Sequence, residues 1–600
     1  MLSPTTPLSP SSRTQALERL AADDFDVLVI GAGVTGAGAA LDAATRGLTV
    51  GLVEARDYAS GTSSRSTKLF HGGLRYLEQL DFRLVFEALQ ERKLALETLA
   101  PHLAKPVRFI YPLLKTGIDR AYAGLGIGVY DVMGAGRGVP SHLRHLGRRR
   151  TIELFGSGDP SVIRGSIAFY EGQVDDARHT MMLSRTAAHF GAAVASSTRV
   201  VGFLADPDGP ARGRGGRVAG VRVRDLESGR EIEIRARTVI NAAGVWIDQL
   251  AQLLSPSGLQ PARSFRVRAS KGVHLLVPRD RIDAGCGLIT RTKSSLLFVI
   301  PWHQHWIIGT TDTDWDLDLA HPAASSADID YLLGQVNRLL AQPLTRDDVM
   351  GVYAGLRPLL AGESDSTSKL SREHAVATPV PGLVTVAGGK YTTYRVMAAD
   401  AVDVAVRELA AVPGGASAAA AATPSVTAEV PLLGADGYRA LWNTRARLAA
   451  DSGLSTDWVE HLLNRYGSLT AELFALIAER PELGRPLASA PGYLAVEALY
   501  AATHEGALHL DDILARRTRI SIETWDRGVA AATEVAGLVA SALGWDEAQV
   551  GREIAHYTAR VDAERESQHQ PDDRSADAAR LGAPDVRLDG RQGSEGRPAQ

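Results

Sequence analysis

The chain has 600 residues, with 65 Lys and Arg against 69 Asp and Glu and a formal net charge of −4 at pH 7. That length calls for two or three domains, and the balanced charge offers no general attraction for nucleic acid, which is excluded as a partner. The single cysteine, Cys286, excludes an internal disulfide framework and a thiolate metal cluster and fits a reducing, cytoplasmic compartment. Residues 1–22 are rich in Ser, Thr and Pro, lack the apolar core of a secretory signal and read as a disordered tail. Residues 25–54 (FDVLVIGAGVTGAGAALDAATRGLTVGLVE) read as strand, glycine turn, helix and strand, with the helix ending at Gly47. A Ser/Thr-rich stretch follows Glu54, and helical spacing then runs from about Asp81 to Leu99, closed by Pro101 and Pro106. Alternating apolar residues predict strands over 193–244 and again over Arg266–Asp312. The stretch LVTVAGGKYTTYR repeats the strand, glycine, helix theme, residues 412–428 form an Ala/Gly/Ser/Pro linker, and 429–562 are helical in pattern. Residues 563–600 are polar and charged, so a second disordered tail is expected. No window approaches the ~20 apolar residues needed to cross a bilayer, so any membrane contact is peripheral.

Gly31, Gly33 and Gly36 stand between a predicted strand and helix, where missing side chains let the backbone turn tightly against a pyrophosphate facing the helix N-terminus. Glu54, eighteen residues after Gly36, is placed to accept ribose hydroxyls and disfavours a 2′-phosphate. Three features favour FAD over NAD. Two strands, Thr238–Gly244 and Leu383–Lys390, return late in sequence, as when one domain wraps a long cofactor. The segment SGTSSRSTKLFHGG, with Thr62, Ser63, Ser64, Ser66, Lys68, His71 and Gly72, suits a backbone lying close to a flat ring system. Gly244 closes one late strand, and Gly389 precedes a helix start at Thr392 and Thr393 aimed at the flavin or ribityl chain. The fold class is therefore α/β: a Rossmann-like FAD-binding domain (about 23–105, 165–250 and 350–411) interleaved with an antiparallel β-sheet substrate domain (about 106–164 and 251–349), plus a C-terminal all-α domain.

At these residues the chain resembles the FAD-dependent, membrane-associated glycerol-3-phosphate dehydrogenases of the D-amino-acid-oxidase-like superfamily. The resemblance rests on GAGVTGAG, TSSRSTKLFHGGLRYLEQLDFRLVFEAL, VDDAR, NAAGVW, KGVHLLVP, VIPW, IIGTTD, GLRPL followed by ESDS, and GGKYTTYR, in family order from residue 25 to about 400. HEGALHLDDILARRTRI resembles the helical cap of that family. The resemblance implies oxidation of sn-glycerol 3-phosphate to dihydroxyacetone phosphate by hydride transfer from C2 to flavin N5, with electrons passed to a respiratory quinone at the inner face of the cytoplasmic membrane.

Such a reaction needs cations for the phosphate, an oriented C2 hydroxyl and a proton acceptor. Arg75, Arg372 and Lys390 are the phosphate candidates, with Tyr76 as a hydrogen-bond donor, and a plain surface charge is the competing reading for Arg372. Arg357, before Pro358, is placed beside the C2 hydroxyl, and His274, in an apolar strand, is the proton acceptor with His71 as its rival. A satisfied core histidine is the competing reading for His274. His303 and His305 have the spacing of two metal ligands without a third, so no metal is assigned. VDDAR reads as an Asp helix cap with an internal ion pair, and Thr310, Thr311 and Asp312 as scaffolding near the cofactor. The apolar Arg120–Val132 stretch and the basic Gly136–Arg150 stretch are the expected lipid contact, with a solvated loop as the alternative. Noncovalent FAD is the default, with linkage through His71 left open. The alternatives are a glycerol-3-phosphate oxidase using oxygen, an amino-acid or amine oxidase of the same superfamily, and an inactive flavin-binding protein; a homodimer is left open.

Overall fold

The computed structural model describes residues 5–73, 82–114, 144–206, 216–261, 266–292, 295–361, 374–412, 414–583 and 585–588. Phe25 to Ile30 are all buried, which leaves the Asp24–Ile30 strand no solvent face and places it inside a parallel sheet. The spatial order is His374–Val380, Leu383–Gly388, Glu231–Asn241, Asp24–Ile30, Val50–Val53, Ala193–Ala195, antiparallel only at the first pair. An antiparallel ribbon, Thr198–Asp206 with Arg217–Asp225, extends from Glu231–Asn241. The alanine-rich Val34–Thr45 helix packs between Asp176–His189 and Tyr394–Ala410, its small side chains allowing close approach on both sides.

The second sheet has ten strands and is mostly antiparallel. Its Val267–Pro278 strand, buried over nearly all its length, pairs with His305–Gly309 on one side and Gly351–Leu360 on the other. A tight turn at His303 and Gln304 joins Leu296–Trp302 to His305–Gly309. Helices dominate beyond residue 430, among them Thr456–Tyr466, Ala495–His504, Val529–Leu543 and Glu547–Ser567, with one short Pro486–Leu487/Ala490–Leu494 hairpin.

Both expected tails need correction. Pro10–Ala22 is a helix capped by Ser9 that buries Ala16, Leu17 and Leu20 against the parallel sheet. Near the other end, Glu547–Ser567 runs past the expected boundary and Asp573–Arg580 forms a further helix capped by Asp572. Within 412–428, Ala416–Ala421 is helical rather than plain linker.

The VDDAR motif also departs from expectation. Asp175 does cap the following helix, accepting the Arg178 N–H at 3.3 Å. The ion pairs, however, run out to the helical domain: Arg178 meets Glu505 at 2.5 Å, and Arg519 meets Asp175 at 2.5 Å and Asp176 at 2.6 Å. Asp57, just past the second strand, is held by Arg516 at 2.5 Å and Arg517 at 2.6 Å. Buried charges of this kind are tolerated only when each has its partner, so helical domain and sheet are locked in one relative position.

His509 belongs to the same seam, with Nδ1 2.8 Å from Glu553 and Nε2 3.1 Å from Glu227. Burial opposes its charge, yet the two carboxylates raise it to about 9. Because the folded value lies above the unfolded one, this contact contributes fully below about pH 6.5 and is lost as pH rises through about 9, a difference of ~3 kcal/mol. Thermal unfolding is therefore expected to move to lower temperature between pH 7 and pH 9.5. His509→Gln should be less stable at pH 7 and show a flatter dependence across that range; an unchanged slope would refute the assignment.

Candidate functional site

Between the two sheets lies a cleft of about 920 Å³. Its first wall is the turn after Asp24–Ile30. Gly31 has φ +97°, and a Cβ there would sit 2.9 Å from the Ala242 carbonyl oxygen. A Cβ on Gly36 would come within 1.9 Å of the Gly31 carbonyl oxygen, so this glycine serves helix-to-strand packing and does not line the cleft. Gly33 begins the Val34–Thr45 helix, and the Val34 N–H donates to Ser63 Oγ at 2.9 Å. Glu54 accepts the Ala32 N–H at 2.8 Å and the Arg56 N–H at 2.9 Å. Burial pushes its carboxyl above the ordinary range, against these two N–H donors.

Residues 60–73 split into two groups. Thr62, Ser63, Ser66 and His71 line the cleft, together with Gly244, Gly389, Lys390 and Thr392. Ser64, Lys68, Gly72 and Thr393 do not. Lys68 Nζ is fully buried and bonded to Asp176 at 2.8 Å, because the chain takes φ 58° at this residue and turns the side chain toward the interdomain charges. Gly72 donates its N–H to Glu171 at 3.2 Å, and Ser64 offers its carbonyl to Lys68 and Arg519. His71 lies 3.0 Å from Glu171 through Nδ1, and its carbonyl accepts the Thr392 hydroxyl at 3.0 Å, which ties the two glycine-rich segments together.

The floor comes from two paired strands. Register places His274 opposite Tyr353, Gly272 opposite Gly355 and Ser270 opposite Arg357, and the period of two sends all six to one face. The central glycine pair leaves room for what would otherwise collide. A Cβ on Gly272 would lie 2.5 Å from the Arg357 guanidinium, and one on Gly355 2.7 Å from Arg65. Arg357 is thereby laid flat. Its NH2 donates to Thr310 Oγ1 at 3.0 Å and the Thr311 carbonyl at 3.1 Å, and its NH1 to Ser270 and the Lys271 carbonyl at 3.4 Å each. Asp312 stands 3.5 Å from NH1, which gives the IIGTTD segment the job of orienting this arginine.

His274 is 2% exposed and stacks on Tyr353 at 4.7 Å between centroids. Nε2 lies 3.2 Å from Thr67 Oγ1, while Nδ1 is buried with no hydrogen-bond partner among the described residues. Burial, reinforced by Arg357 and Lys68, holds the ring well below the ordinary histidine range, so it is neutral at neutral pH. Gly309 makes the ring's place, since a Cβ there would come within 2.2 Å of it.

Arg75, Tyr76 and Arg372 lie outside the described residues, as does Arg120–Val132. Of the basic stretch, Arg149 and Arg150 are exposed and pair with Glu153. Among the described residues no cluster of three or more His, Cys, Asp or Glu is arranged for a metal ion. Sequence reasoning missed Arg65, which lines the cleft and whose guanidinium burial pushes down to about 10, leaving it charged at neutral pH. It also missed Arg56, Trp246 and the Gly272/Gly355 pair. The available signal for the pair was that each glycine is part of a motif already singled out, KGVHLLVP and GLRPL.

Residues 26–395 match the family described as FAD dependent oxidoreductase, and residues 425–550 the C-terminal domain of alpha-glycerophosphate oxidase. The chain is 58% identical to the glycerol-3-phosphate dehydrogenase of Mycobacterium leprae over 97% of its own length and 96% of that protein. It is 36% identical to the mitochondrial glycerol-3-phosphate dehydrogenase of Mus musculus over 92% of its length and 75% of that protein. Among solved structures it is similar to the glycerol-3-phosphate dehydrogenase of Bacillus halodurans complexed with FAD, with a TM-score of 0.73, 28% identity, and coverage of 92% of this chain and 98% of that one.

Proposed function

We propose, from the premise that this chain belongs to the FAD-dependent glycerol-3-phosphate dehydrogenase family, that it oxidises the C2 alcohol of sn-glycerol 3-phosphate and delivers the electrons to a quinone. The residues present fit FAD: a glycine turn that no Cβ could share, Glu54 beside it, and a second glycine turn at Gly388 and Gly389 with φ 76° and 79° opening the far wall. Gly31, Gly33, Ser63 and Glu54 would hold the diphosphate and ribose, and Gly389, Thr392 and His71 the flavin end. When bound, FAD supplies the acceptor for the hydride equivalent leaving C2.

The observation that carries the reading is the convergence of His274, Arg357 and Lys390 on one cleft with the N-terminal glycine turn. Lys390 supplies a point charge for the substrate phosphate, and Arg75 and Arg372 are its proposed companions. Arg357 orients the C2 oxygen and stabilises negative charge on it. Neutral His274 takes the hydroxyl proton, which a ring already protonated could not do. As pH falls through the depressed value of His274 the base is lost, so the rate should show no histidine inflection between about pH 6 and 8. His274→Asn is expected to lower kcat by about 10²-fold with little change in KM; a loss under about threefold would leave His71 as the proton acceptor.

Anaerobic titration of the purified holoenzyme with glycerol 3-phosphate tests the whole reading. Bleaching of the oxidised flavin band is expected, and its persistence at saturating substrate, or bleaching by glycine or D-alanine instead, would overturn it. Oxygen is the competing acceptor; peroxide formed at the rate of substrate oxidation, with no turnover of a quinone analogue, would select it. A membrane site follows from the quinone. Among the described residues no helix is long and apolar enough to cross a bilayer, and the proposed contact runs through the exposed arginines at 148–150. Reversing those charges should reduce recovery on anionic vesicles.

A further inference from the structure

Over its described residues, the segment that composition marks as a tail makes a succession of contacts with the rest of the chain. The Gln570 carbonyl accepts the Ser326 N–H at 2.8 Å, and Asp573 meets the fully buried Lys271 Nζ at 2.5 Å beside Asp328 at 2.6 Å. Lys271 adjoins Gly272 in the cleft floor. After the Asp573–Arg580 helix, Arg580 lies 3.1 Å from His321, Asp585 forms an ion pair with Arg56, and Arg587 donates to both oxygens of Asp512 at 2.9 and 2.7 Å. The segment thus touches the antiparallel sheet, the parallel-sheet domain and the helical domain in turn. Leu581, Ala583 and Asp585 line the same cleft as Glu54 and Arg56, and Leu581 keeps 50% of its surface exposed.

We propose that this C-terminal segment is the outer wall of the adenosine half of the FAD site and sets how long the cofactor stays bound. The inference rests on the reading that Glu54 receives the adenosine ribose. Arg56 is the hinge of the argument. Its backbone N–H orders the Glu54 carboxylate at 2.9 Å, while its guanidinium is gripped by Asp585, by the Ala320 carbonyl at 3.3 Å and by His321 at 3.0 Å. Asp585 therefore steadies the turn that presents the ribose acceptor. Leu581 and Ala583 add an apolar surface of the kind a purine ring packs against. A ligand leaving this end must displace a segment anchored on both sides by charge pairs, to the buried Lys271 before the helix and the buried Asp512 after it, and such pairs govern dissociation more than association.

Three full-length variants test this, with flavin release from purified holoenzyme followed by the rise in free-flavin fluorescence. Asp585→Asn is expected to release FAD about tenfold faster than the parent chain. Leu581→Cys, at a position half exposed in the cleft, should be alkylated about tenfold more slowly in holoenzyme than in apoenzyme, against a low background because the native Cys286 is buried. Release from Asp585→Asn within about twofold of the parent, or equal alkylation of Leu581→Cys in the two forms, overturns the inference. Glu54→Gln separates it from the reading beneath it: FAD weakened by Glu54→Gln but not by Asp585→Asn removes the wall and leaves the cofactor orientation standing.

Discussion

Replacing Arg357 by lysine is expected to lower kcat/KM for glycerol 3-phosphate by about 10²- to 10³-fold while flavin content stays at the parent level. The side chain is held as a fork. One nitrogen is fixed by Thr310 and Thr311, the other by Ser270 and the Lys271 carbonyl, with Asp312 behind. An ammonium keeps the charge but satisfies only one side of that fork, so the positive centre moves off the line set by the Gly272/Gly355 floor. The loss should fall mainly on kcat, because the C2 oxygen that Arg357 is proposed to orient acquires charge only as the reaction proceeds. A threefold effect, or one confined to KM, would show that Arg357 merely helps bind substrate. Steady-state dye reduction with the flavin absorbance spectrum as a control decides between these.

The second large effect is on stability. Asp176→Ala should cost about 3–5 kcal/mol, because it takes the ion-pair carboxylate from the buried Lys68 and one of two carboxylates from the buried Arg519, which keeps Asp175. The carboxylate is fully buried and receives Lys68 at 2.8 Å, Arg519 at 2.6 Å, the Ser66 N–H at 2.9 Å and the Ser66 hydroxyl at 2.7 Å. Through Lys68 and Ser66 it also anchors the turn that lines the cleft, so FAD retention should fall together with the denaturation midpoint. Asp176→Asn keeps some of these hydrogen bonds and should lose less. A midpoint unchanged within error in Asp176→Ala would mean the cations find water or other partners. Neighbouring Asp175 sets the acid limit of this seam. Burial alone would push its carboxyl up, but Arg519, Arg465 and Lys68 hold it well below the ordinary range. Its contribution is therefore complete above the unfolded value near pH 4 and is lost only as pH falls through the folded value.

Local features were legible in the sequence. Gly31, Gly33 and Glu54 act within one strand, turn and helix, where spacing alone carries the geometry. Arg357 and His274 could be singled out from their motifs, but their relation could not, since it depends on the register that sets Ser270 against Arg357. Lys68, read from its motif as a cofactor contact, does not line the cleft, and the sequence hid this for the same reason: its partner, Asp176, lies 108 residues away. Arg178 was given a local partner and instead meets Glu505, 327 residues on. The C-terminal stretch failed differently. Its polar composition matches that of unfolded chain, and its described residues are held by the buried Lys271 and Asp512 and by Arg56, which no window around residues 563–600 contains.

The ion pair between Lys271 and Asp573 spans 302 residues. A nascent polypeptide emerging N-terminus first therefore completes its antiparallel sheet long before one of that lysine's counter-charges leaves the ribosome. A chain that ends after the Gly351–Leu360 strand but before residue 573 therefore carries that cation in its sheet with Asp328 as the counter-charge it has left.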